Sequence, residues 1–391
     1  MAGKGKKPKQ GGDDPEYRSN LLALVSHELN TPLTGVLNAI TVLEQKYPED
    51  REYLPMLRRN AERLRHSVEN MLRLADADAG ILRVHLSETK LENVLLHEME
   101  RMKNHLERQG FRFAHSLEAD LPTVCADPAR LGRVVDTFFA NAVKFSDKAR
   151  GKGKTFEVKL ELALRSIDEV RERLHGSDIE KKTGTFLVVR VASSLPSLGE
   201  PPDSYDELFE PFGPWKDVLS REKEGLGVEL ALAREILLAH NGFIAAGPPE
   251  RAGEGMAFYL GLPVLSRQDE LEFVINNRIH GALGNLSKTS LIVLRPGPGS
   301  GADLRSLEEE VRNLLYRSSD SVFSNPASGE LTIVMDDCNA RGAEKLAERL
   351  ANDLKRAAPR VDFVFGAATG PDDGATAREL LDRATHSWRP L

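Results

Sequence analysis

Residues 26–35 read SHELNTPLTG, a histidine and a glutamate side by side with Pro32 five residues after His27. They lie in an apolar-periodic run over residues 17–46 that includes Leu21, Val25, Leu29, Leu33, Val36, Ile40 and Leu43. A proline inside a helix costs about 3 kcal/mol, so its place beside a titratable pair asks for a reason. KYPEDR interrupts the run. Beyond it, Leu57, Ala61, Leu64, Val68, Met71 and Ala75 alternate spacings of four and three, the pattern of a heptad seam. Two helices joined by a short turn make an antiparallel hairpin, predicted over 17–85. A lone hairpin cannot bury its seam. A four-helix bundle formed by a homodimer is therefore expected, with packing on its own C-terminal region as the alternative.

The composition bounds the rest. At 391 residues the chain is long enough for two or three domains. Hydrophobic residues at 40% and charged residues at 29% fit a protein with a proper core. A net charge of −7 argues against nonspecific binding of nucleic acid, which needs a dominant cationic surface. No apolar run approaches the roughly 18–20 residues of a membrane span. The basic start, residues 1–16, has no apolar stretch behind it and reads as a disordered tail rather than a signal peptide. Cys125 and Cys338 match no metal spacing and suit a reducing cytoplasm. A cytoplasmic protein is expected.

Residues 87–265 alternate strand and helix patterns. FRFAHSL, PTVCA, TFEVKLELAL, TFLVVRVA, GFIAAG and MAFYLGLP read as strands, separated by helical stretches ending near residues 110, 146 and 241. This predicts an α/β sandwich with a charged insertion around 166–183. A polar linker is expected over 266–287, followed by a small α/β domain over 288–391 of ferredoxin-like type. Its turns are marked by GPGSG, PASG and GPDDG.

On the first helix His27 falls between the seam positions Val25 and Leu29 and is expected to point outward. Glu28 is about 100° around the helix. A carboxylate near an imidazole raises its basicity and can take its proton as the other ring nitrogen attacks an electrophile. Pro32 removes the hydrogen bond to the carbonyl of Glu28 and is expected to bend the helix one turn beyond the histidine. SHELNTPL resembles the phosphoacceptor box of sensor histidine kinases, whose usual form is S-H-E-L-R-T-P-L. The resemblance implies that His27 accepts the γ-phosphate of ATP and passes it to the receiver domain of a response regulator. It makes Glu28 the general base and Thr31 the residue that orients water during dephosphorylation of the partner. Asn30 stands where arginine is commoner.

The second domain resembles the ATP-binding domain of that family. RLGRVVDTFFANAVKFS resembles the N box, which implies Asn141 as a Mg²⁺ ligand through its amide oxygen and Lys144 as a phosphate partner. Thr137 stands at the first asparagine of that box. ELFEPF (207–212) matches the F box at the edge of the lid. The first glycine box, D-x-G-x-G, is lost: Ser193 occupies the position of the adenine-binding aspartate, with Leu195 and Ser197 at its glycines. Losing one charge-assisted hydrogen bond of this kind costs about 1.5–3 kcal/mol, roughly ten- to a hundredfold in affinity. The second glycine box keeps Gly225 and Gly227, residues that let backbone N–H groups approach phosphate, but places Glu229 at a third glycine. Weak or absent binding of Mg·ATP is expected.

The third domain resembles the GGDEF fold of diguanylate cyclases through DELEFVINNR (269–278), RSSDSVFSNPASGELTIVM (317–335) and FVFGAATGPDDGATARELLDRA (363–384). NPASGEL replaces the signature, and LIVLRP lacks the acids expected at its strand end. Two-metal phosphoryl chemistry needs those carboxylates, so docking of another signalling protein or support of the dimer is expected there instead of cyclase activity. Asp336 and Asp337 at a strand end hint at an acid pocket. The resemblance as a whole implies a degenerate, kinase-like regulator of a phosphorelay. An active protein-histidine kinase and a non-enzymatic dimeric scaffold are the alternatives.

Overall fold

In α1 (Pro15–Lys46) the chain runs as one continuous helix through Pro32. After the turn at residues 47–50, the Asp50 carboxylate accepts hydrogen bonds from the backbone N–H groups of Glu52 and Tyr53 (3.1 and 2.8 Å) and starts α2 (Tyr53–Asp78). The two helices pack along each other with Ile40, Leu54 and Ala61 buried. Arg58 on α2 donates to Glu44 on α1 at 2.5–2.9 Å. The computed structural model describes residues 15–50, 52–78, 82, 84–108, 110–144, 156–194, 204–211, 228–251, 254–283, 287–297, 303–317, 320–357 and 361–390. Among them no helix is long and apolar enough to cross a membrane.

The chain divides into two compact units, residues 1–82 with 199–235, and 83–198 with 236–391. The first holds the hairpin, a 3₁₀ turn at Tyr205–Phe209 and the start of α7 (Glu229–Ala239). In it Leu74 packs with Val228 and Ala231.

The second unit contains two five-stranded sheets. In the first the strand order is β2 (Phe111–Leu117), β4 (Phe156–Ser166), β5 (Thr185–Ser193), β7 (Ala257–Pro263), β6 (Phe243–Gly247). Only β2 and β4 run parallel. A short ribbon pairs β1 (Ser87–Thr89) with β3 (Val124–Ala126). α3 (Leu91–Arg108) packs against β2, and α4 (Pro128–Lys144) packs against α3 and across β4, β5 and β7. The apolar stripe of α4, Leu131, Val134, Val135, Phe138, Phe139 and Ala142, recurs at the helical period and is buried. Gly132 lets the Glu98 carboxylate lie against that helix, because a Cβ there would come within 2.6 Å of its oxygen.

The charged insertion is ordered. It forms α5 (Ile167–Arg171) and α6 (Ser177–Glu180), and its Ile167, Val170, Leu174 and Ile179 cover Phe186, Phe243 and Tyr259 of the sheet. Beside it Arg190, 5% exposed, pairs with Glu254 (2.5 Å), Glu161 (3.3 Å) and Glu250 (3.5 Å). Burial opposes its charge, yet the hydrogen bond to Glu254 and the neighbouring acids leave the guanidinium's pKa raised.

The second sheet is antiparallel, in the order β12 (Arg389–Pro390), β11 (Phe363–Gly370), β8 (Thr289–Pro296), β10 (Glu330–Met335), β9 (Ser321–Asn325). With α9 (Leu304–Leu314) and α10 (Ala340–Ala357) it follows the split βαββαβ pattern expected for a ferredoxin-like domain. Those two helices cover one face. The other is covered by α11 (Ala377–Thr385) and by α8 (Arg267–Leu283). α8 corrects the expectation of a polar linker over 266–287. Its Leu271, Val274, Ile275 and Ile279 recur at helical spacing and lie 0–4% exposed in the core.

Candidate functional site

The backbone of His27 and Glu28 belongs to α1, and their side chains lie outside the described residues. Thr31, one turn on, is exposed. The seam read from the sequence is split on the hairpin: Leu57, Leu64 and Met71 face outward, 47%, 54% and 40% exposed, whereas Ala61 is buried against α1. On α1 Leu29, Val36 and Leu43 are uncovered in the same way.

α4 builds the best-defined part of the second site. Asp127 caps it, its carboxylate accepting the Arg130 N–H at 3.0 Å. Spacings of four and three put Thr137, Asn141 and Lys144 on one face of the helix. The Thr137 hydroxyl donates to the Arg133 carbonyl (2.9 Å), and the Asn141 amide nitrogen donates to the Thr137 carbonyl (2.7 Å). This fixes the Asn141 side chain with its nitrogen occupied, so that the oxygen is the group left to act as a ligand. Thr137 is tied into its own helix. Lys144 is the last residue of α4 and half-buried.

Ser193 ends β5, the strand that α4 crosses, and is 1% exposed. Its carbonyl accepts the Gly255 N–H at 3.0 Å. Gly225, Gly227, Leu195, Ser197 and Phe212 lie outside the described residues. Glu229 is the first residue of α7 and half-buried. Of the F box, Leu208 and Phe209 are buried core residues of the 3₁₀ turn, 6% and 3% exposed.

Two acids of the C-terminal domain, Glu330 and Asp336, are held by cations. Arg295, at the end of β8, pairs with Glu330 and lies over the Trp388 ring at 4.4 Å. Arg278 of α8 reaches Asp336 (3.6 Å) and donates to the Val334 carbonyl and the Ser321 hydroxyl, both at 2.6 Å. Among the described residues no group of three or more His, Cys, Asp or Glu side chains is placed to hold a metal ion. A cavity of about 300 Å³ lies elsewhere, on the outer face of the first sheet between α5 and the β6–β7 loop. Its buried Arg190 is already paired with the acids around it.

One arrangement escaped the sequence reading. His240, fully buried just after α7, accepts the Asp127 N–H on Nε2 (2.9 Å) and sets Nδ1 2.6 Å from the Ile236 carbonyl. Burial lowers its pKa, so the ring is held neutral. The two partners are 113 residues apart and no local pattern links them.

Residues 17–80 match the family described as the His Kinase A (phospho-acceptor) domain. Residues 126–266 match that of the histidine kinase-, DNA gyrase B- and HSP90-like ATPases. The adaptive-response sensory kinase SasA of Synechococcus sp. (strain JA-3-3Ab) is 25% identical over 64% of this chain and 60% of its own length. The sensor protein kinase WalK of Staphylococcus epidermidis is 28% identical over 63% of this chain and 36% of its own. The crystal structure of full-length ShkA in complex with AMPPNP aligns over 62% of this chain and 45% of that one, at 26% identity and a TM-score of 0.48. Two matched domains in the right order, with kinase relatives across both, place the chain in the sensor histidine kinase family of two-component signalling. It spans less than two thirds of the length of these relatives.

Proposed function

We propose that this protein is a degenerate histidine kinase that works through the His27-bearing helices of a homodimer on the receiver domain of a response regulator. It accepts phosphate from that domain, promotes its dephosphorylation or occupies its docking surface. In this reading His27 is the phosphoacceptor, Glu28 its base and Thr31 the group that positions water. The setting is cytoplasmic.

The observation that carries the reading is Ser193. Where the family needs a carboxylate open to adenine, this chain has a short hydroxyl that is 1% exposed. Serine has neither the reach nor the charge, and the three lost glycines remove close backbone approach to the ligand. The Mg²⁺ and phosphate side fits better: the Asn141 amide oxygen suits a hard cation, and Lys144 with Gly225 and Gly227 suits phosphate. The adenine side does not fit. Weak Mg·ATP binding follows, and no catalytic step is assigned to it.

The C-terminal domain has the strand order and helix placement consistent with a degenerate GGDEF-like domain. Arg295 at the end of β8 supports a docking role, because a guanidinium there opposes a divalent cation. The second reading, an active kinase, rests on the retained Asn141.

The two are separated by incubating the purified protein with γ-labelled Mg·ATP and measuring acid-labile phosphate on the wild type and on His27→Gln. Background labelling in both is expected. His27-dependent labelling to near one phosphate per chain overturns the degenerate reading in favour of the active kinase.

A further inference from the structure

The chain that leaves the hairpin enters a core belonging mostly to the C-terminal domain. Val84 and Leu86 are 7% and 6% exposed, and they pack in one cluster with Val274 and Ile279 of α8, Leu291 of β8 and Leu380 of α11. Cys125 of β3 and Ala239 at the end of α7 lie against the same cluster. Polar contacts lock the place. The His85 N–H donates to the Asp127 carboxylate (2.9 Å), the Asp127 N–H donates to His240, and the Asn277 amide donates to the Ala239 carbonyl (3.2 Å). Three things therefore meet at Asp127, the exit segment of the hairpin, the N-terminus of α4 and the end of α7, and helix α8 joins them through Ala239.

A module merely tethered to its neighbour closes its own core and meets the neighbour through a smaller, more polar surface. Here the core is incomplete without Val84 and Leu86. Close-packed interiors transmit a change of packing rather than absorb it. We infer that the C-terminal domain is the regulatory body of the ATPase-like domain. Through the Asp127 junction, the state of its inner face sets the exit segment of the hairpin and the two helices, α4 and α7, that carry the nucleotide-box residues. A protein engaging the C-terminal domain thus acts on the kinase-like part without touching it. The inference rests on the reading of α4 and α7 as the remains of a nucleotide site. Its test reads backbone amides instead of nucleotide, so the two can fail separately.

The test is hydrogen exchange on the full chain carrying Leu350→Ala. Leu350 is fully buried on α10, in the core on the far face of the C-terminal sheet, away from the junction. Removing it is expected to speed exchange in β8 and β10 by about thirtyfold or more. The amides of His85, Asp127 and His240 are expected to speed by a comparable factor. Faster exchange confined to residues 289–390, with those three amides at wild-type rates, overturns the inference. Ile333→Val, a milder cut in the same far core, gives a two- to tenfold version of the same comparison if Leu350→Ala does not fold.

Discussion

The hairpin and the second unit treat apolar surface in opposite ways. Along α1 and α2, Leu29, Val36, Leu57, Leu64 and Met71 are 40–54% exposed. In the second unit both sheets bury their apolar faces, and even the polar outer face of the first sheet is satisfied internally, with Arg190 held among Glu161, Glu250 and Glu254. A single hairpin with one uncovered seam cannot be a finished structure, because helices of this kind gain most of their stability from packing. Among the described residues of the second unit, the exposed large apolar side chains Leu96, Leu164, Leu238 and Tyr316 are scattered over separate elements instead of ranged along one helix. The contrast supports the proposal that the helices carrying His27 are the part of the molecule built for a partner.

The contrast breaks most readily at the seam. Leu57→Asp with Leu64→Asp removes two leucines per chain, four per dimer, each worth about 1.5 kcal/mol or more when buried. Sedimentation equilibrium is expected to show association weakened at least about a thousandfold. A double variant that stays dimeric at wild-type concentrations places the interface elsewhere.

A smaller loss is expected in the self-sufficient unit. Glu254→Ala leaves the buried Arg190 with its longer ion pairs to Glu161 and Glu250 and its hydrogen bond to the Tyr259 hydroxyl (3.2 Å). Stripping a buried charge of its partner costs about 3 kcal/mol, the lower end of the usual range because those two acids remain. Denaturant unfolding measures it, and a change below about 1 kcal/mol would mean that the acids already share the charge equally.

The smallest effect sharpens the picture at the junction. The unfolded chain binds a proton at His240 near pH 6.5, whereas burial keeps the folded ring neutral to lower pH. The unfolded state therefore holds more protons below that point. The contribution of His240 to stability is present above the unfolded pKa of about 6.5 and is lost as the pH falls below it towards the lowered folded pKa. Asp127 favours the charged ring and Arg130 opposes it, both secondary to burial. Between about pH 7 and 5.5 the wild type is expected to lose more stability than His240→Asn, as measured by denaturant unfolding at the two pH values. Equal losses would show that the ring is protonated in the folded state as easily as outside it.

Much of this architecture is legible in the sequence because it is written in local periods. The heptad spacing from Leu57 to Ala75 holds the three exposed residues Leu57, Leu64 and Met71, and the helix read up to about residue 146 is α4. Short motifs located Asn141 and Ser193. What was hidden is relational. The polar residues of 266–287 masked the helical spacing of Leu271, Val274, Ile275 and Ile279, which matters only once a second sheet and Val84 are there to receive it. The insertion was legible only as charged, although Ile167, Val170, Leu174 and Ile179 are its buried side. Nothing near Asp127 in the chain announces His240, since that pairing is created by the fold.

Whether the nucleotide site has decayed while the helices still work is decided by calorimetric melting with and without millimolar Mg·ATP. A ligand at a hundred times its dissociation constant raises stability by about 2.7 kcal/mol. No resolvable shift of the ATPase-like domain is expected in the wild type and none in Asn141→Ala. A clear upward shift in the wild type that disappears in Asn141→Ala would contradict it and return the protein to the working kinases.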